Sequence, residues 1–389
     1  MGANCHFLKI LLVGGTFDNL SGKPSSYINK FKYALINDDT KVVCYNGGNV
    51  DTLKLIQEKI KVFKYDAIIW CPNIPNDIEK LNRNLKTLDP NIIYVASKRN
   101  NNEYSFQQLV SKALQCKANL LIEFNTTEYQ ISGRLIDPLG NEWCPKTCYI
   151  QLLADTLIQQ LHFLKTQVTR QGTISIRNAP VYPEFNNINE YNDFKDFLYI
   201  IKQYAEVYHN LICPDVNTTR FLGNSSFRCT KGGFPSFRAK TTPNLIFVSE
   251  RNIDKRSIEF NNFVGVNLTE QFHGKVGYYG DRKPSVDTPI QLKLYKKYPW
   301  INYIIHSHVY LKNTPFTKQY YPCGALQEFD EICETINKVI QEQSGGLKPI
   351  RIAINLIGHG CIVLSTGVAH LKDLPYIARE FPEQMYLKI

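Results

Sequence analysis

Along the first 166 residues, two spacings of apolar positions take turns. Short apolar runs of strand length occur at LKILLVGG (8–15), TKVVCY (40–45), DAIIWCP (66–72), NIIYVAS (91–97) and NLLIEF (119–124). Between them lie amphipathic stretches of helical spacing: SSYINKFKYALI (25–36), TLKLIQEKIKVF (52–63), DIEKLNRNLKTL (77–88) and FQQLVSKALQCK (106–117). Strands alternating with helices predict a Rossmann-like parallel sheet with helices on both faces. Ligands of such sheets sit at the carboxyl ends of the strands. Here that place is the polar loop 16–22, with Gly14, Gly15, Thr16, Ser21, Gly22, Lys23, Ser25 and Ser26. It is neither a G-x-G-x-x-G fingerprint nor a P-loop. Two readings stay open: a phosphate or carboxylate held beside a helix N-terminus, or a tight turn followed by a helix cap at Ser25, which is the preferred one.

A long amphipathic helix, YIQLLADTLIQQLHFLKTQ (149–167), closes this domain near residue 166. Residues 167–190 are rich in asparagine and proline and lack strong periodicity, so they read as a linker. A helix over DFKDFLYIIKQYAEVYHNL (193–211) opens a second domain, taken as 191–389. Two domains suit a chain of 389 residues.

Composition narrows the class. The hydrophobic fraction of 43% fits a globular protein. No apolar run reaches the roughly 18 residues of a membrane span, and the N-terminal stretch reads as a strand and turn rather than a signal peptide. The net charge is +10, but Lys and Arg are interspersed with Asp and Glu. The tightest cluster, Lys293, Lys296 and Lys297, reads as a solvated helix face, so no nucleic-acid partner is expected. The 11 cysteines are scattered, with only Cys144 and Cys148 close together. They read as reduced thiols of a cytoplasmic protein.

The chemistry concentrates near INYIIHSHVYL (301–311). It reads as a buried strand, and residues two apart on a strand face the same way. His306 and His308 therefore project side by side, as two corners of a tetrahedral metal site require. His359 lies in another apolar run, between Gly358 and Gly360, and Asp287 lies in the loop 283–287. Asp287 also precedes Thr288-Pro289 and a helix, so it can serve as an N-cap. In a low-dielectric pocket it is expected to have a raised pKa. His162, His209, His273 and His370 are set aside as structural or unplaced.

The ordered motifs Gly223-Asn224-Ser225-Ser226-Phe227-Arg228, the strand and loop 245–254, Lys283-Pro284-Ser285-Val286-Asp287, His306-Ser307-His308 and His359-Gly360 resemble the class II aldolase/adducin family over roughly 190–389. The resemblance implies an α/β/α fold on a mainly antiparallel sheet. It implies zinc, or another divalent metal, on His306, His308 and His359, with Asp287 as ligand or catalytic acid/base. Asn224, Ser249 and Ser285 take the places of substrate contacts, and no further cofactor-binding residue is implied. Family members are commonly tetramers with the active site between subunits. The implied activity is a lyase that cleaves or dehydrates a sugar-like hydroxy-carbonyl compound through a metal-stabilised enediolate. The alternatives are the family's ribulose-phosphate 4-epimerase branch, whose Asp-Thr-Pro this chain shares at 287–289, and a non-catalytic adducin-like binding protein.

The departures concern the substrate. Where the family has T-P-S-G for a phosphate, this chain has Phe247-Val248-Ser249-Glu250, and Val286 replaces a serine. Either the substrate lacks that phosphate or Arg251 and Arg282 hold it. The epimerase branch places a catalytic aspartate after its histidine pair. Here Glu328 and Asp330 flank that offset without filling it. Tyr386 is a candidate, by position, for the family's tyrosine near the C-terminus.

Overall fold

The computed structural model describes residues 7–74, 91–100, 106–126, 130–176, 192–212, 223–229, 245–343 and 349–373. The helix expected over 77–88, and Tyr386, lie outside them. The chain divides into two compact units, the first built from Met1–Gln167 and the second from Val168–Glu380. Among the described residues no helix is long and apolar enough to cross a membrane.

The first unit holds strands β1 (Leu8–Asp18), β2 (Thr40–Asn49), β3 (Ala67–Asn73), β4 (Ile93–Asn100), β5 (Leu120–Thr126), β6 (Ile131–Ile136) and β7 (Glu142–Thr147). Its described helices are α1 (Ser26–Leu35), α2 (Val50–Val62), α3 (Phe106–Gln115) and α4 (Ile150–Thr166). The sheet order is β2-β1-β3-β4-β5-β6-β7. The first five strands run parallel. β5, β6 and β7 then pair antiparallel, an extension that the alternation did not announce. Leu11 and Val13 of β1 enter one core with Leu53, Ile56 and Ile60 of α2 and Leu109 and Ala113 of α3. Ile10 and Leu12 point to the opposite face, and α1 packs with α4.

β1 runs through Thr16 to Asp18, so the polar loop is shorter than 16–22. Thr16 and Lys23 bridge across it through paired backbone hydrogen bonds. Ser25 caps α1 by accepting the Ile28 amide. The glycines here face the chain itself. A Cβ on Gly15 would meet Asn46 Oδ1 at 2.5 Å, and one on Gly22 would meet the Gly48 amide nitrogen at 1.6 Å. That geometry matches the tight turn and cap.

The second unit is an eight-stranded sheet formed by β8 (Thr173–Ile176), β9 (Asn224–Cys229), β10 (Leu245–Ser249), β11 (Phe263–Phe272), β12 (Lys275–Tyr279), β13 (Tyr303–Ser307), β14 (Arg351–Leu356) and β15 (Gly360–Ser365). The order is β14-β15-β13-β9-β10-β11-β12-β8. Every pairing is antiparallel except β12 with β8. β8 lies inside the stretch expected as a linker. Its residues are half-buried on the sheet's edge, which is why periodicity was weak there.

Among the described residues three helices cover this sheet: α5 (Asn192–Ile212), α6 (Thr288–Lys297) and α7 (Glu328–Gln343). Ile246, Val248 and Ile304 face a core with Ile290 and Leu294 of α6 and Ile332 and Ile336 of α7. The alternate residues Phe247 and Tyr303 face the other side. There Phe194 and Phe197 of α5 pack on Phe227, Phe263 and Tyr303. Helices therefore lie on both faces of a mostly antiparallel sheet. The period of two places His306 on the α6 and α7 side, with Ile304.

Gly22→Ala is expected to destabilise the first unit by about 1–3 kcal/mol, the usual range for forcing extra atoms into a filled space. An unchanged urea midpoint would show that the loop has room to move off Gly48.

Candidate active site

The site is built where β13 ends. His306 is its penultimate residue and His308 follows it. Their neighbour β15 pairs Ser307 with Cys361, which brings His359 alongside. Two glycines make the approach possible. A Cβ on Gly223 would meet His306 O at 1.9 Å, and one on Gly360 would meet Ser307 O at 2.0 Å. Both residues have positive φ, +68° and +132°, where a side chain is strained.

The three rings converge. Their centroids are 5.1 Å apart for His306 and His308, 4.5 Å for His306 and His359, and 5.5 Å for His308 and His359. His306 Nε2, His308 Nδ1 and His359 Nε2 are buried without hydrogen-bond partners. Buried polar atoms normally find one. The ligand atoms of the triad lie within 4.8 Å of one another, close enough to hold a metal ion. The other nitrogens of two rings are committed. His306 Nδ1 lies 2.9 Å from Cys361 O, and His359 Nδ1 lies 2.7 Å from Glu328 Oε1. Such partners fix the tautomer and aim the free nitrogen.

Asp287 occupies the N-cap position of α6, but its side chain makes no capping bond. The carboxylate turns to the histidines instead, with Oδ2 3.9 Å from His306 Nε2. Asn224 Nδ2 donates to Oδ2 at 2.7 Å, the Gly324 amide donates to Oδ1 at 2.8 Å, and Cys323 Sγ donates to Oδ1 at 3.2 Å. Gln291 in turn donates to Asn224 Oδ1. Burial would raise the Asp287 pKa, but the charges of His359 and His306 and the Cys323 hydrogen bond outweigh it. The carboxyl is held below its ordinary range. This corrects the expectation of a raised pKa: the pocket is dry, but it is not apolar around this carboxylate.

Burial pushes His306 down to about 4 and His308 well below the ordinary histidine value. Burial opposes charge on His359 too, yet the Glu328 carboxylate prevails and holds its proton well above that value. Burial, and then Asp287, push the Cys323 thiol up to about 11.

The residues expected as substrate contacts have hydrogen-bond partners within the chain. Asn224 is spent on Asp287 and Gln291. Ser285 Oγ lies 3.5 Å from Asp287 Oδ2. Ser249 is 0% exposed and its hydroxyl accepts the Ser225 amide. Arg251 donates to Pro284 O, and Arg282 donates to Asn261 O and lies 3.7 Å from Glu250. The structure thus gives each of these residues a partner within the chain.

Sequence reasoning did not assign two residues that the structure brings in. Glu328, noted only for failing to match an aspartate, begins α7 and buttresses His359. Cys323, one thiol among eleven, faces Asp287 and His359, and these three form a second group able to hold a metal ion. The loop carrying both is braced by residues that precede β8. Thr169 exchanges hydrogen bonds with Leu326 and Gln327, and Arg170 bridges Ala325.

Residues 203–312 match the family described as the class II aldolase and adducin N-terminal domain. This span includes Asp287, His306 and His308. Among solved structures, an L-fuculose 1-phosphate aldolase is 18% identical over 44% of this chain and 78% of its own, with a TM-score of 0.29. The L-fuculose-1-phosphate aldolase of Thermus thermophilus is 13% identical over 45% of this chain and 85% of its own, with a TM-score of 0.26. A DNA/pantothenate metabolism flavoprotein from Streptococcus pneumoniae is 11% identical over 41% of this chain and 99% of its own, with a TM-score of 0.30. At such scores these likenesses carry no argument about activity.

Gly360→Ala is expected to cost about 2 kcal/mol or more, from the strained φ and the collision with Ser307 O. A urea midpoint within error of the parent would show that β15 can withdraw from β13 at little cost.

Proposed function

We propose that the second unit, which carries the class II aldolase/adducin match, is a zinc-dependent lyase. It would cleave or dehydrate a small sugar-like hydroxy-carbonyl compound. The observation that carries this reading is the trio of buried imidazole nitrogens without partners beside an ionised carboxylate. Imidazole nitrogens at this spacing fit a divalent cation, which would displace the proton that His359 keeps. His306, His308 and His359 would hold it, and one or two positions would remain for substrate oxygens. When bound, the metal supplies Lewis-acid polarisation of a carbonyl group.

The chain's own residues supply the rest. Asp287, ionised at neutral pH, takes the proton from the substrate hydroxyl next to the bond that breaks, and can return it to the product carbon. Asn224, Gly324 and Ser285 keep both of its oxygens in place, and Gln291 fixes Asn224. Glu328 holds the Nδ1 proton of His359, so Nε2 faces the cation. Ser249, Arg251 and Arg282 are occupied within the chain, which favours a substrate without a phosphate at the family's usual position. Glu328 is committed to His359 and Asp330 is exposed. Neither is therefore free to replace the aspartate of the 4-epimerase branch, and cleavage is preferred to epimerisation. A cytoplasmic homotetramer completes the proposal.

The test is metal content. The purified chain should carry about one zinc per molecule, and a His306→Ala/His308→Ala variant little. Cleavage of a panel of hydroxy-ketones, with and without phosphate, should follow the metal. A parent chain that cannot be loaded with zinc, cobalt or manganese removes the lyase reading and leaves the adducin-like binding protein.

The affinity for zinc should rise with pH. His306 and His308 are already neutral near pH 7, whereas His359 keeps a proton that the cation must displace. Affinity therefore gains about tenfold per pH unit while His359 remains protonated in the metal-free protein. In Glu328→Gln the proton is no longer held, so the slope should flatten above pH 7 and affinity should fall about 10–100-fold. Equal slopes in the two proteins would dissociate Glu328 from the proton on His359.

A further inference from the structure

We propose that Tyr310 and Asn355 are positioning residues of the metal site: they clamp the chain that leaves His308 to the turn that carries His359. The inference rests on the three-histidine reading above and extends it to residues outside the triad. The β13–β15 ladder ends with Ser307 against Cys361. His308 lies beyond the last residue of β13, and His359 lies in the turn between β14 and β15. Strand pairing therefore aims His306 but stops short of the other two imidazoles. Glu328 steadies the ring of His359, but the path of both backbones has to be set by other contacts.

Hydrogen bonds between the two segments set it. The Asn355 side chain is 0% exposed; it accepts the Leu311 amide at 2.8 Å and donates to Leu311 O at 2.9 Å. The Asn355 backbone amide donates to Pro315 O, and its carbonyl accepts the Thr317 amide. Tyr310 stands two residues after His308, and its hydroxyl accepts the amide of Gly358, the residue before His359, at 2.8 Å. Thr317 Oγ1 accepts the Ile357 amide at 3.1 Å. Asn355 interrupts the apolar run IAINLI (352–357). A buried side-chain amide can donate and accept at once, as the crossing of two chain segments requires.

The clamp acts on the open side of the triad. The His308 and His359 ring centroids are 5.5 Å apart, the widest of the three separations. Without the Tyr310 hydroxyl the Gly358 amide loses its acceptor, and a buried amide left unpaired drives the turn to move. His359 moves with it, away from His308. Tyr310→Phe keeps the ring, which packs edge-on against Phe316 with centroids 5.0 Å apart, and removes only the hydroxyl.

Cobalt(II) tests this without reference to activity, because its visible absorption follows the number and arrangement of its ligands. The full-length parent, Tyr310→Phe and Tyr204→Phe are each freed of metal and loaded with cobalt, and zinc affinity is measured by competition with a chelator. Tyr204→Phe is the control. It removes a buried hydroxyl outside the clamp, which donates to Leu371 O at 2.6 Å. The expected result is a cobalt spectrum altered in Tyr310→Phe alone, with zinc binding weakened about 10–100-fold in that variant alone. A Tyr310→Phe spectrum and zinc affinity within error of the parent overturn the clamp and leave the histidine site standing. Equal losses in Tyr310→Phe and Tyr204→Phe show a general loss of stability and overturn it as well. No bound cobalt in the parent removes the metal site and the clamp with it. Should Tyr310→Phe fold poorly, Thr317→Val decides, since it takes away the acceptor of the Ile357 amide. Weaker zinc binding and an altered spectrum uphold the clamp, and parent-like values overturn it.

Discussion

Three imidazole nitrogens turned toward one another inside a protein, with no hydrogen bond to make, are costly to leave dry. The rest of the second unit can be understood as the means of keeping them there. The β13–β15 register brings His359 beside His306 and Ser307. Gly223 and Gly360 remove the side chains that would hold the backbones apart. Cys361 O and Glu328 fix two of the rings from behind. The two carboxylates in reach, Asp287 and Glu328, both stand at helix N-termini, where the dipoles of α6 and α7 favour negative charge. Orphaned nitrogens, buried anions and helix ends thus offset one another only when they are assembled together.

Much of the fold could be read from the chain. In the first unit the switch between periods of two and 3.6 marked the described strands and helices, because strands buried on both faces are short continuous apolar runs. The β6 and β7 pair escaped. Their sequences, ISGRLI and EWCPKT, carry glycine, proline and charge, and Arg134 pairs with both Glu123 and Glu142. In the second unit β8 escaped for a related reason. A short edge strand with half-buried residues has little pattern to show.

The site was legible where function demands unusual residues in an apolar setting. Histidines two apart at the end of a strand, and another between glycines, stand out in apolar runs. Asp287 was legible in position but not in charge, since its low pKa comes from His359, His306 and Cys323, which are distant in sequence. Glu328 and Cys323 were hidden for the same reason. A carboxylate at the start of a helix and a lone thiol are commonplace, and only the approach of α7 and its preceding loop to β15 gives them meaning. Ser249 shows the converse: a residue matched by motif can be spent inside the fold on its neighbour's amide.

The segment before β8 has a bearing on how the protein can be taken apart. Thr169 and Arg170 tie down the loop of Cys323 and Glu328, and β8 itself lies along the free edge of β12. A fragment that began at residue 191 would lose these ties and bare the hydrogen-bonding edge of β12. Exposed edges recruit other strands and seed aggregation. What looks like spare rope between two domains is a selvedge, woven into the second one, and any division of the chain has to be made on its N-terminal side.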